Sequence, residues 1–213
     1  MEVSSNASWI IKGIMSTRRL THEVQRYWDN SIETDHFTMG TVYKMMHMGK
    51  DRVVWYELIA GNNATPRAVT CLWMACHRKL ATKDRLTKWG MIQYRKCSLC
   101  EECEDIYHLF FKCAKLKQVW MDILQWIQVN HLPLPWDREL QWLQNYCKGK
   151  GKRVWTMKVA IAETVYHCWS WRNAVCFDTQ FDSDHIVHNI IDSIIHRCWQ
   201  KKKYRDYTAQ LMM

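Results

Sequence analysis

Apolar residues recur every three to four positions over most of the chain beyond residue 37, the spacing that lines one face of an α-helix. Thr38 is placed to cap a first helix through Val42, Tyr43, Met45 and Met46. A short apolar run over 52–59 follows, closed by the turn signal Gly61-Asn62-Asn63. Thr65-Pro66 then reads as a helix start, a capping hydroxyl followed by proline in the first turn. Ala68, Val69, Leu72, Trp73 and Cys76 continue it at helical spacing. Thr82 opens a short helix through Leu86 that Gly90 ends. Leu116, Val119, Trp120, Ile123, Leu124 and Ile127 form one face of a longer helix, broken over 131–135. Asp137 is expected to cap a helix carrying Leu140, Leu143 and Cys147, and the lysine-glycine loop 148–153 is the best linker candidate.

Two longer helices close the chain. Met157, Ile161, Val165, Cys168 and Trp169 line the first. Asp184 is expected to cap the second, with Ile186, Val187, Ile190, Ile191, Ile194, Cys198 and Trp199 facing inward. Residues 1–36 carry no such pattern and read as a flexible tail of something longer. The expected fold class is mainly α: a helical domain built around a small Cys-Cys-His-Cys knuckle, followed by long C-terminal helices. Seven Gly and three Pro in 213 residues agree with long helices over strands and turns.

Composition changes the picture in two ways. The formal charge of +9 favours acidic partners, nucleic acid before an anionic membrane surface. Ten cysteines without a charged-then-apolar leader read as metal ligands or buried thiols rather than a disulfide framework. The most apolar stretch, 155–171, holds Lys158, Glu163 and His167 and falls short of the roughly 18 uncharged residues of a membrane span. An intracellular protein without a membrane partner is expected.

The chemistry concentrates in 97–113. Cys97, Cys100, His108 and Cys113 make C-x2-C-x7-H-x4-C, four soft or borderline donors within 17 residues. A lone C-x2-C reads more readily as buried free thiols; a His and a third Cys in register turn the reading to zinc. Four protein ligands leave no open position, so one structural zinc ion is expected. Residues five apart lie about 140° apart around a helix. His108 and Cys113 therefore need a break between them, with Cys113 near the start of the next helix. Cys103 makes a second C-x2-C with Cys100 and competes with Cys97; the pair Cys97 and Cys100 is preferred because it flanks a two-residue turn. The remaining cysteines on helix faces read as small core hydrophobes.

At this point several motifs in order resemble a family. Ala64-Thr65-Pro66-Arg67, Leu72-Trp73-Met74-Ala75, and Leu80 to Leu86 come first. The four ligands follow, with His108-Leu109-Phe110-Phe111-Lys112-Cys113 and then Val119-Trp120. Together they resemble the zinc-binding domain downstream of the polymerase in plant LINE-type (non-LTR) reverse transcriptases. Trp169, Arg172-Asn173 and Phe177 resemble the helix that follows that domain, so the likeness spans roughly 37–177. It implies a zinc-binding domain over 37–130 and a C-terminal helical segment, 131–213, packed on or linked to it. It also implies RNA or single-stranded DNA as partner, other proteins of the same element beside it, and a nuclear setting, with the cytoplasm left open. It transfers zinc ligation to Cys97, Cys100, His108 and Cys113 and no catalytic residue. A polymerase palm needs clustered aspartates for two metal ions, and no Asp-Asp pair occurs in the chain. A non-catalytic module is expected, as a fragment, a stand-alone copy or a domesticated remnant.

The basic segment 77–96 is the expected nucleic-acid contact. Arg78, Lys79, Lys83, Arg85, Lys88, Arg95 and Lys96 stand there against one acid, Asp84. Such density neutralises phosphates and releases counterions, and Trp89 and Tyr94 can stack on unpaired bases. Trp89 beside Gly90 also reads as the anchor of a helix end, the preferred role for it. Glu101, Glu102, Glu104 and Asp105 are expected to repel phosphate on the metal side, so a ligand would approach from Arg95. The patches Lys148, Lys150, Lys152, Arg153 and 201–205 read as solvated surface, and Trp73, Trp120, Trp169 and Trp199 as core. The alternative function is a protein-interaction or relic domain without a specific nucleic-acid ligand.

Overall fold

One long helix gathers much of the buried apolar surface among the described residues. The computed structural model describes residues 53–179 and 185–205. The expected tail 1–36, the helix after Thr38 and the Asp184 cap lie outside the described residues. Eight helices appear among the described residues: α1 (Tyr56–Ile59), α2 (Pro66–Cys76), α3 (Lys83–Lys88), α4 (Ile106–Leu109), α5 (Ala114–Trp126), α6 (Trp136–Tyr146), α7 (Lys152–Cys176) and α8 (Ile186–Trp199). The fold is mainly α around the Cys-Cys-His-Cys group, as the periodicity predicts.

Helix α7 is the axis. It packs on α2, α5 and α8, so three of its sides meet protein. A helix surrounded in this way is apolar nearly all round. Met157, Val159, Ala160, Ile161, Ala162 and Val165 are fully buried along it. The opposing faces come from Leu72 and Ala75 of α2, Leu116, Trp120 and Ile123 of α5, and Ile190 and Ile194 of α8. Helix α6 packs on both α1 and α4. Its fully buried Trp136 stacks on Phe111 at 5.4 Å and meets Phe110 at 5.2 Å. Those two phenylalanines lie between His108 and Cys113, so aromatic packing fixes the chain that carries two of the four donors.

The helix starts follow local chemistry. Thr65 caps α2 by accepting from Ala68 N at 3.2 Å, with Pro66 in the first turn. Cys113 is the N-cap of α5, after a break that follows Leu109. Gly90 ends the α3 turn with φ +72°, a left-handed conformation open to glycine at little cost. Asp137 does not cap α6. Pro135 is the N-cap, and Asp137 lies in the first turn where it pairs with Arg78 at 3.0 Å. Glu139, inside α6, instead turns back to the segment before the helix. It is fully buried and accepts from Leu134 N, Trp120 Nε1 and a ring nitrogen of His131 at 2.7–2.9 Å.

Two tryptophans expected in the core are not there. Trp73 is 39% exposed and Trp199 59% exposed, because each sits one position past the stripe that meets α7. Trp120 is fully buried and Trp169 half-buried.

Glu163 lies within the α7 core and accepts from Thr65 N at 2.7 Å. Burial raises its carboxyl pKa above the ordinary 4.5, against the opposing pull of the Thr65 hydrogen bonds. The neutral form is thus favoured in the fold. Its contribution to stability is complete below the ordinary value and is lost as pH rises through the raised one. In urea titrations, Glu163→Gln should therefore gain stability relative to the wild type as pH rises above the ordinary 4.5. Truncating Trp136→Ala should cost about 3–5 kcal/mol in the same assay.

Candidate metal centre

Residues 95–104 fold back on themselves. Glu104 N donates to Arg95 O at 2.7 Å and Cys97 N donates to Glu102 O at 2.6 Å, around an antiparallel bridge between Lys96 and Cys103. Glu101 at the tip has φ +65° and donates from its amide to Cys97 O at 3.0 Å. This turn brings the sulfurs of Cys97 and Cys100 together. Helix α4 presents His108, its start capped by Asp105, which accepts from His108 N at 2.7 Å. Cys113 arrives from the N-cap of α5.

The donor atoms of Cys97, Cys100, His108 and Cys113 all lie within 4.8 Å of one another. Cys97, His108 and Cys113 are buried and Cys100 is half-buried. Zinc–sulfur bonds of about 2.3 Å place tetrahedral ligands about 3.5–4 Å apart, so small side-chain adjustments close this set on one ion. His108 turns Nε2 toward Cys100 Sγ at 3.1 Å and Nδ1 toward Glu102 Oε2 at 3.3 Å. A carboxylate behind a ligating imidazole fixes its orientation and raises its basicity. Leu99 N donates to Cys97 Sγ at 3.4 Å, one more stabiliser of a thiolate.

Protons alone suit this cluster poorly. Hydrogen bonding with Cys113 lowers the Cys97 thiol to about 4 and correspondingly raises Cys113 above its ordinary 9.0, while burial raises Cys100. One negative charge shared among three close sulfurs is what a divalent cation resolves, since zinc binds thiolates outright. The donor set therefore fits one zinc ion. The other cysteines differ: burial raises Cys71, Cys76, Cys147 and Cys198 to about 12, as expected of inert core thiols. Cys103 is exposed and stands outside the cluster.

The knuckle is tied to the helices by a pair that the periodicity does not reveal. Glu104 and Arg172 are both buried, and Arg172 Nε donates to Glu104 Oε2 at 3.0 Å while Nη2 donates to Oε1. Glu104 also accepts Lys83 N at 2.9 Å, which caps α3. Of the four acids expected to repel phosphate, Glu104 is neutralised inside and Asp105 is spent on a helix cap. An arginine within an apolar helix was the available signal, since such a residue needs a buried acid partner. Ser98 Oγ lies 3.1 Å from Cys176 Sγ and fastens the knuckle to the end of α7.

The basic residues do not act alike. Lys83 Nζ donates to Lys96 O at 2.6 Å and Ser98 Oγ at 2.7 Å, bracing the knuckle. Arg85 donates to the carbonyls of Arg78 and Leu80 and lies 4.7 Å from the Trp89 ring centre. Arg78 pairs with Asp137 and lies over Tyr107, and Lys88 pairs with Asp84 at 3.3 Å. Lys79 lies 5.9 Å from the Trp73 ring centre. The side chains of Arg95 and Lys96 are exposed with no ion pair among the described residues. Trp89 is no buried anchor: it is 53% exposed, and Tyr94 is 75% exposed.

Helices packed around a buried three-cysteine, one-histidine group define a zinc-knuckle module. Residues 37–120 match the family model described as zinc-binding in reverse transcriptase. The match ends within α5, and no polymerase domain is matched. No curated protein and no solved structure matches the chain. No helix among the described residues is long and apolar enough to cross a membrane.

Metal analysis of purified protein should give one zinc per chain. Cys113→Ser should lower that content and the helical circular dichroism together, whereas Cys103→Ser should change neither. Glu102→Gln should weaken zinc affinity by about 10–100-fold, read by competition with a chelating dye. Arg172→Met, which leaves Glu104 buried and unpaired, should cost about 3–5 kcal/mol in urea.

Proposed function

We propose that the chain is a non-catalytic accessory module derived from a plant LINE-type reverse transcriptase, which binds RNA or single-stranded DNA beside its zinc knuckle. Cys97, Cys100, His108 and Cys113 hold the zinc, and four protein donors leave it no position for substrate. Its work is to hold the knuckle in shape. The module is assigned to 37–130, and the following segment 131–213 contributes α7, which packs on α2 and α5, and α8, which packs on α5.

The observation that carries this reading is the exposure of two aromatic rings among cations. Trp89 and Tyr94 are exposed, and in the chain they fall between Arg85 and Lys88 on one side and Arg95 and Lys96 on the other. Arg85, Lys88, Trp89 and Tyr107 line one shallow depression together. Aromatic platforms with nearby cations bind single strands by stacking and phosphate neutralisation, at about 1–3 kcal/mol per stacked base. Asp84 and Asp105 also line the depression, so phosphates follow its rim toward Arg95. Lys83 and Arg85 serve this surface mainly by bracing it.

The test is a titration of labelled single-stranded RNA at several salt concentrations with zinc-loaded protein. Each phosphate contact contributes about −0.7 to the slope of log affinity against log salt. Replacing Lys79, Lys88, Arg95 and Lys96 together by Ala should flatten the slope by roughly 2–3 and leave zinc content unchanged. An unaltered slope in a folded variant would refute the assignment.

A further inference from the structure

A second concavity has Lys79 in its lining. It has a volume of about 530 Å³ and is walled by α2, the 79–81 link and α7. Cavities of about 300–1,000 Å³ are the range in which small ligands are held. Its walls are apolar and aromatic, with Met74 and Cys71 on one side and Tyr166 and Trp169 on the other. Its charged lining consists of Arg67 and Lys79, with no carboxylate. Arg67 is exposed and has no ion pair or hydrogen bond among the described residues. The indole of Trp169 is held by Arg172, whose guanidinium carbon lies 4.9 Å from the ring centre. Arg172 is itself locked to Glu104 beside the zinc knuckle. The aromatic wall is thus fixed in place by the same pair that positions the metal site.

We infer that this cavity receives an unpaired base of a bound single strand, stacked against Trp169 and Tyr166, with Arg67 and Lys79 holding the phosphates on either side of it. The inference rests on the nucleic-acid reading and extends it to a specific pocket. A ligand with a flat apolar body between two negative charges complements an aromatic cleft with two cations in its lining, and a nucleotide within a strand has that form. Lys79 belongs both to this pocket and to the basic segment 77–96, so one backbone can run from Arg95 past Lys79 to Arg67. An acidic peptide would satisfy the two cations but offers no flat ring for the indole.

The experiment uses zinc-loaded full chain and a 12-nucleotide single-stranded RNA carrying 4-thiouridine, with an abasic strand of equal length as the control. Crosslinked peptides should map to the Tyr166–Trp169 stretch of α7. Trp169→Ala should lose about tenfold or more in affinity for the RNA with an unchanged salt slope, the signature of a lost stack. Trp169→Phe should restore most of it, and neither variant should alter affinity for the abasic strand. Arg67→Glu, at an exposed position that cannot disturb the core, should weaken both strands and flatten the slope by about 0.7 or more. Crosslinks confined to 78–96, with Arg67→Glu binding as wild type, would overturn the pocket and leave the nucleic-acid reading standing. An absence of saturable binding to any single strand, or tighter binding to a poly-glutamate peptide than to the RNA, would overturn both.

Discussion

Glu104 and Arg172 lie 68 positions apart in the chain, and the rest of the structure is arranged around their contact. A carboxylate and a guanidinium taken out of water together are tolerable only when their hydrogen bonds are nearly complete. Here Glu104 accepts from the guanidinium on both oxygens and from the first amide of α3, while its own amide closes the knuckle hairpin on Arg95. One residue thereby joins the hairpin, the basic helix and the longest helix of the fold. The zinc knuckle is not an appendage on a helical bundle. Its sulfurs are positioned by a loop whose far side is bolted to α7.

This arrangement explains the division of labour among the cations. Lys83 and Arg85 have carbonyl partners that hold the knuckle and the turn before it, so their charge is committed to local structure. Arg95, Lys96 and Arg67 have no such commitment. Charge that is unspent on the fold is charge available to phosphate, and Arg67 lies with Trp169 in the lining of one groove. The buried carboxylates Glu104, Glu139 and Glu163 are spent inward on helix starts and indole or guanidinium donors. Three of the 21 acids are therefore taken off the surface, against one buried arginine, Arg172.

The helices and the metal ligands were legible in the residues for local reasons. Helical periodicity acts within a few turns, so Leu116 to Ile127 and Met157 to Cys168 declare their faces without help from the rest of the chain. The ligand set is equally local: four donors in 17 residues, with a spacing that forces a break between His108 and Cys113. Even the order of motifs over 64–120 pointed to the family later matched over 37–120. Asp137 failed as a cap because a proline before it took that position, and the start of α3 is capped from a distance by Glu104.

What only the tertiary structure decided was which polar residues are inside and which aromatics are outside. Sequence pattern by itself determined the helical class, the zinc donors and the basic segment, because each is written in neighbours along the chain. It could not pair Glu104 with Arg172 or seat Glu163 under Thr65, since those contacts depend on how α7 crosses the elements before it. Nor could it expose Trp73 and Trp199, which sit at helical spacing yet fall just beyond the contact line with α7. A helix face is a matter of a few residues' spacing; whether that face meets another helix or water depends on the packing of the whole molecule.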